Sequence, residues 1–189
     1  MVTYVTDTSR WEAWQRDYRF GLILILPPPE VAGQIEPLRA RYDPKGFDIC
    51  ATHISVSDPL RRPMTRELDD EIADILGRIA PFTLHYDKPL ASRHHAGVAY
   101  PITPQAPIDE IKRVLHQAAI FDGKVYGRRD IPAHMTIAEF VTIEESWQIC
   151  EEIQDVAPSG SFLCDRLTFM VPDAQMRFRR VKTYALRGP

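Results

Sequence analysis

The sequence is short of several things, and each shortage excludes a class of protein. The longest early apolar run, Leu22 to Leu26, falls far below the roughly 20 residues needed to cross a bilayer. The opening M-V-T-Y-V-T-D-T-S-R-W-E lacks the charged-then-apolar layout of a signal peptide, so a cytoplasmic protein without membrane contact is expected. Positive charge is not in excess: 23 Lys and Arg stand against 26 Asp and Glu, for a net charge of −3. That balance argues against a protein that coats a long duplex through a broad basic face, while leaving room for a local arginine cluster that holds one phosphate. Cysteine is scarce, and Cys50, Cys150 and Cys164 are odd in number, widely spaced and set among apolar residues. Reduced core thiols fit this better than a disulfide framework or a zinc knuckle. There is no H-E-x-x-H, no C-x-x-C, no P-loop and no K-x-D-G, and no acidic cluster flanks a histidine. Neither a bound metal nor a nucleotide triphosphate cofactor is expected.

What remains is an ordinary globular composition, 44% hydrophobic and 26% charged over 189 residues, enough for one core or for two small lobes sharing one. Trp11, Trp14 and Tyr18 at helical spacing predict an amphipathic first helix in an N-terminal extension over 1–19. F-G-L-I-L-I-L then reads as a buried strand ended by Pro27, Pro28 and Pro29. Val31, Ile35 and Leu38 place a helix over 30–41, starting just after proline. A strand containing D-I-C-A-T-H-I-S-V, a helix over 65–79 and the strand F-T-L-H-Y follow.

From Gly97 the order begins again. G-V-A-Y-P-I predicts a strand, P-I-D-E-I-K-R-V-L-H-Q-A-A a helix, and D-I-P-A-H-M-T-I a strand. T-I-E-E has the form of a capping box that opens a helix to about residue 156, and two strands close the chain, S-F-L-C-D-R-L-T-F-M-V and R-F-R-R-V-K-T-Y-A-L. The two phrases each carry a histidine with a hydroxyl two places on, His53 with Ser55 and His134 with Thr136, 81 residues apart. The expectation is therefore an α+β fold: one duplicated domain over 1–189, with lobes at about 20–95 and 96–189 related by a pseudo-twofold.

In a strand, residues i and i+2 point the same way, so His53 and Ser55 share a face, as do His134 and Thr136. Across a twofold, two imidazoles and two hydroxyls can converge on one cleft. One neutral imidazole takes a proton from an incoming oxygen, and a protonated one gives a proton to the departing oxygen, while hydroxyls and backbone N–H groups hold a phosphate. Either phrase alone is weak, since roughly one histidine in ten has Ser or Thr two places on by chance. Their matched slots carry the signal: Asp-Ile upstream, apolar flanks and the same strand–helix surroundings in each half.

With these residues the chain resembles the 2H phosphoesterases, named for two H-x-[ST]-x motifs, here His53-Ile54-Ser55-Val56 and His134-Met135-Thr136-Ile137. The resemblance is nearest to the bacterial 2′-5′ RNA ligase-like branch and runs from about residue 20 onward. It implies a bilobal fold, two antiparallel-sheet lobes with outer helices around a central cleft, and a monomer that acts on an RNA 3′ end or a small nucleotide. It also implies metal-independent hydrolysis of 2′,3′-cyclic phosphates, with 2′-5′ joining of RNA ends in some members. His53 and His134 would then be the acid/base pair, and Ser55 and Thr136 the phosphate holders. One position departs from the pattern. Related sequences often carry a basic residue shortly after the second motif, where this chain has Glu139, so another cation must act there or the substrate differs.

Arg128 and Arg129, just before the second phrase, are candidates for reaching a phosphate at the cleft mouth, against the alternative of solvated loop residues. Arg61 and Arg62 occupy the comparable loop after the first phrase, and Arg93-His94-His95 forms a small basic loop between the halves. His85 and His116 have no hydroxyl two places on and read as structural. Any aromatic residue that stacks a base is not separable from the core by pattern alone.

Overall fold

The computed structural model describes residues 2–92, 95–127 and 131–188. It is an α+β fold whose strands form one curled antiparallel sheet with helices packed on it. The chain runs β1 (Leu22–Ile25), α1 (Pro29–Tyr42), α2 (Pro44–Ile49), β2 (Ile54–Ser55), α3 (Arg66–Gly77) and β3 (Phe82–Tyr86). It continues through β4 (Leu90–Ala91), β5 (Val98–Thr103), α4 (Ala106–Leu115), β6 (His134–Ala138), α5 (Ile143–Ile153), β7 (Gly160–Cys164), β8 (Arg166–Pro172) and β9 (Phe178–Ala185).

The sheet order is β7-β3-β5-β6-β2-β1-β8-β9, with β4 paired beside β5. The two histidine strands, β6 and β2, are therefore central neighbours, and equivalent strands flank them on both sides. β3 pairs with β5 and β7, and β8 pairs with β1, so each half of the chain lends strands to the other side of the sheet. That exchange explains why no linker separates the repeats.

Apolar residues from every long helix meet the same sheet face. Val31 and Ile35 of α1, Ile72 and Leu76 of α3, Ile108, Ile111 and Leu115 of α4, and Ile149 and Ile153 of α5 join Ile23, Ile25, Ile54, Met135 and Ile137 in one core. Alternation then sends Leu22 and Leu24 to the opposite face, where they pack with Cys50 and Met170. Helix α5 starts as its sequence predicts: the Thr142 hydroxyl accepts from the Glu145 N–H, and the Glu145 carboxylate accepts from the Thr142 N–H.

Three local expectations are corrected. The N-terminal extension holds one short 3-10 helix, Trp14–Phe20, preceded by non-helical chain, rather than an amphipathic α-helix. So short a segment cannot nucleate an α-helix alone, and it is pinned by tertiary contacts instead: Trp11 is buried, with its Nε1–H on the Ala174 carbonyl. Gly21 closes the turn at a φ of 82°, a conformation that favours glycine.

The first phrase is not one strand from Asp48. Asp43 caps and Pro44 opens α2, which consumes Asp48 and Ile49 and leaves only Ile54–Ser55 in the ladder. S-F-L-C-D-R-L-T-F-M-V is two strands, β7 and β8, which lie far apart in the sheet order on either side of Asp165.

Candidate active site

The central ladder fixes the site. β2 and β6 pair with Ile54 opposite Met135, the residues that directly follow the two histidines. In an antiparallel pair this register sets His53 opposite Thr136 and Ser55 opposite His134. Ile54 and Met135 are fully buried in the core, so the four polar side chains share the other face. The imidazoles occupy one diagonal of this square, where Cα atoms are about 7–8 Å apart, and the hydroxyls occupy the other. That spacing suits a phosphate held between two proton-transfer groups. All four residues line one cleft of about 590 Å³, a size typical of small-molecule sites.

Each imidazole is oriented in the same way. His53 Nδ1 lies 2.8 Å from the Ala51 carbonyl oxygen, and His134 Nδ1 lies 2.8 Å from the Pro132 carbonyl oxygen, two residues back in both cases. A carbonyl only accepts, so Nδ1–H is the donor in each ring. In the neutral form Nε2 then carries the lone pair, the tautomer that a general base needs.

The segment ahead of His53 is clamped from α1. Glu36 Oε1 accepts the Thr52 N–H at 2.6 Å and the Thr52 hydroxyl at 2.7 Å. Arg39, only 4% exposed, donates to the Gly46 carbonyl at 3.0 Å and lies 3.8 Å from Glu36. Asp43, also buried, accepts the Gly46 N–H and the Glu139 N–H, each at 2.9 Å, and so ties the α1–α2 turn to the residue that follows β6. Gly46 is required by close approach, since an added Cβ would lie 2.5 Å from the Asp43 carboxylate.

Glu139 lines the cleft, as do Asp17 and Arg39; among the described lining residues Arg39 is the one Arg or Lys. His134 and Ser55 also border a smaller pocket of about 230 Å³, which includes the buried Lys112. The Lys112 ammonium bonds Asp109 at 3.1 Å and the Ile131 carbonyl at 3.4 Å. Arg128 and Arg129 lie outside the described residues, as do Arg93 and His94.

Other candidates fall elsewhere. Arg62 pairs with Asp122, and His95 bonds Ser92. His85 is exposed on β3. His116 is a buried, satisfied ring: its Nδ1–H donates to the Lys112 carbonyl at 2.7 Å, and its Nε2 accepts the Asp58 N–H at 3.1 Å. Burial holds its pKa below the usual histidine value, against the opposing pull of the Lys112 carbonyl and the Asp58 carboxylate. Among the described residues, no group of three His, Cys, Asp or Glu side chains is placed to hold a metal ion.

Sequence reading missed Glu36, Arg39, Asp43 and Trp14 as site residues. Only Asp43-Pro44 left a usable signal, as a helix-opening pair.

A model of the 2′-5′ RNA ligase superfamily matches residues 27–175. Among solved structures, Escherichia coli LigT complexed with NADP+ aligns at 21% identity and a TM-score of 0.56, over 87% of this chain and 95% of that one. LigT complexed with 3′-AMP aligns at 20% identity and a TM-score of 0.57, over 87% and 96% of the two chains. TT0787 of Thermus thermophilus aligns at 10% identity and a TM-score of 0.57, over 88% and 97%. None of the curated proteins matches the chain.

Proposed function

The chain belongs to the 2′-5′ RNA ligase superfamily, and from that premise we propose that it is a metal-independent phosphodiesterase. Its substrate is a 2′,3′-cyclic phosphate or related phosphodiester at an RNA 3′ end or on a small nucleotide. The observation that carries this reading is the matched pair of imidazoles, each with Nδ1–H on a carbonyl two residues back, on one face of one antiparallel pair. A water oxygen attacks phosphorus as one Nε2 takes its proton, and the bond from phosphorus to one ring oxygen breaks as the other imidazolium gives that oxygen a proton. Ser55 and Thr136 hold the non-bridging oxygens, and Arg128 and Arg129 are assigned to phosphate binding from their place in the sequence just before the second motif. The orientation of the substrate decides which histidine is acid and which is base. Replacing water by a 5′-hydroxyl on a 2′,3′-cyclic end gives the corresponding joining reaction. The protein works as a single-domain cytoplasmic monomer. The capture of 3′-AMP by LigT, a protein of similar fold, supports a nucleotide-sized ligand.

Incubation with 2′,3′-cyclic nucleotides and cyclic-phosphate-ended oligonucleotides in EDTA tests this. Turnover is expected in the wild type, and His53→Ala and His134→Ala should each lower it at least about 100-fold, the scale of lost acid or base catalysis. Turnover undiminished in both variants would sink the assignment. Glu139 favours a second reading, a non-catalytic RNA-end or nucleotide-binding module on the same fold. Tight binding of these ligands without turnover in the wild type would select it.

A further inference from the structure

The two imidazoles are oriented by two carbonyls, and each of those carbonyls belongs to a peptide whose N–H is held as well. His134 Nδ1–H donates to the Pro132 carbonyl, and the N–H of that same peptide, on Ala133, donates to Gln105 Oε1 at 2.8 Å. His53 Nδ1–H donates to the Ala51 carbonyl, and the N–H of that peptide, on Thr52, donates to Glu36 Oε1 at 2.6 Å. Thr52 and Ala133 are both buried. In each half the contacts therefore run in the same order, from side-chain oxygen to peptide N–H, and from the carbonyl of that peptide to the imidazole.

A peptide group is planar, so an acceptor that fixes its N–H also fixes the direction of its carbonyl. Donation from the N–H polarises that carbonyl and strengthens the bond it accepts. Neither acceptor is a backbone carbonyl, and the two arrive from different places. Glu36 lies within α1, 16 positions before Thr52, whereas Gln105 directly precedes α4, 28 positions before Ala133. One is a carboxylate beside Arg39 and the other a neutral amide, so the accepting oxygen is what the two halves share. Each acceptor is itself fixed by further bonds. Glu36 Oε1 also accepts the Thr52 hydroxyl at 2.7 Å, and Gln105 Nε2 donates to the Ile102 carbonyl at 2.6 Å and the Ala133 carbonyl at 3.0 Å. Burial alone requires some partner for each N–H. It does not require that in both halves the partner be a side chain on the one peptide that the histidine uses.

We propose that Glu36 and Gln105 are positioning residues, which act through the 51–52 and 132–133 peptides to hold both imidazoles in the Nδ1–H form with Nε2 facing the cleft. As a role in turnover this rests on the phosphodiesterase reading; as control of the ring tautomer it does not. An imidazole in water favours the Nε2–H form, and that preference has to be overcome at both rings. The base needs a bare Nε2, and the acid must present its proton from the same atom while Nδ1–H stays on the carbonyl. Releasing either peptide frees its ring to turn and to exchange tautomers. Each clamp serves one ring, so the damage from losing it stays in its own half.

The test is the long-range 1H–15N imidazole spectrum of the full chain at about pH 8, above the ordinary histidine pKa. Signals are assigned with His53→Ala and His134→Ala, and the fold of each variant is checked by circular dichroism. In the wild type His53 and His134 should both be Nδ1–H. Gln105→Ala should bring His134 into a mixture of tautomers and leave His53 unchanged, and Glu36→Ala should do the converse. With a 2′,3′-cyclic nucleotide each alanine variant should lose about tenfold or more in kcat with KM within about twofold, a part of the 100-fold or more that acid or base catalysis supplies. Glu36→Gln restores the accepting oxygen, so it should recover the His53 tautomer and most of the kcat lost in Glu36→Ala. A wild-type ring in the Nε2–H form overturns the proposal without any variant. So do alanine variants that keep the wild-type tautomers, or a Glu36→Gln protein that behaves as Glu36→Ala does. Because tautomers are read without turnover, the two readings separate. Tautomer loss in a protein that opens no cyclic phosphate keeps the clamps and rejects the phosphodiesterase, and turnover with tautomers indifferent to both clamps does the reverse.

Discussion

Removing the Asp43 carboxylate should destabilise the fold out of proportion to one surface charge. Its two oxygens accept the N–H groups of Gly46 and Glu139, each at 2.9 Å, and the residue is buried. In Asp43→Ala both donors lose their partner; leaving the buried Gly46 N–H, capped at the start of α2, unpaired costs about 1–3 kcal/mol, and losing the part-buried Glu139 bond costs about 1 kcal/mol. Together these give about 3 kcal/mol, which lowers the melting temperature of a chain of this size by about 6–12 °C. Asp43→Asn tests the partition between the two bonds. Its amide oxygen still caps Gly46, but its NH2 group faces the Glu139 N–H, donor against donor, so about half the loss is expected. Gly46→Ala should resemble the alanine variant, because the new Cβ would meet the Asp43 carboxylate at 2.5 Å. Thermal unfolding followed by calorimetry reads all three. An Asp43→Ala protein that melts within about 2 °C of the wild type refutes the reasoning, because the predicted loss is several times larger.

His116 makes stability depend on pH. Its folded pKa lies below the unfolded value of about 6.5 because the ring is buried, so its contribution is fully present above that pH. As pH falls further the unfolded chain takes up the proton first and the contribution is lost. Melting temperature should fall between pH 7 and 5, with a shallower slope in His116→Gln; parallel slopes contradict this. Burial pushes the thiols of Cys50 and Cys164 each up to about 12, so at pH 8 a thiol reagent should modify half-buried Cys150 first, as peptide mapping would show. Thr142→Ala breaks the capping box of α5 and should cost about 1 kcal/mol in urea unfolding.

The histidine strands were legible because strand alternation and a repeated phrase are local properties of the sequence. The register that sets Ile54 against Met135 then follows from a symmetric pairing of the two strands. Asp43-Pro44 was legible in principle, yet the apolar run through Cys50 hid the helix that it opens. The break at Asp165 was harder to see, since nothing local to β7 or β8 says that consecutive strands part to opposite sides of a sheet. The Glu36–Thr52 clamp and the Trp14–Phe140 contact join residues 16 and 126 positions apart, and no pattern within one segment encodes such pairs. Buried Arg39 looked like any helical arginine until its helix was packed against the cleft floor.

The central claim is that one imidazole acts as base and the other as acid on the same phosphate. The pH dependence of kcat/KM for a 2′,3′-cyclic nucleotide, measured in EDTA from pH 5 to 9 on the wild type, His53→Ala and His134→Ala, tests it most directly. The account predicts a bell-shaped wild-type profile, with each single variant losing a different limb of the bell along with most of its rate. A monotonic wild-type profile, or two variants that keep both limbs, would contradict it.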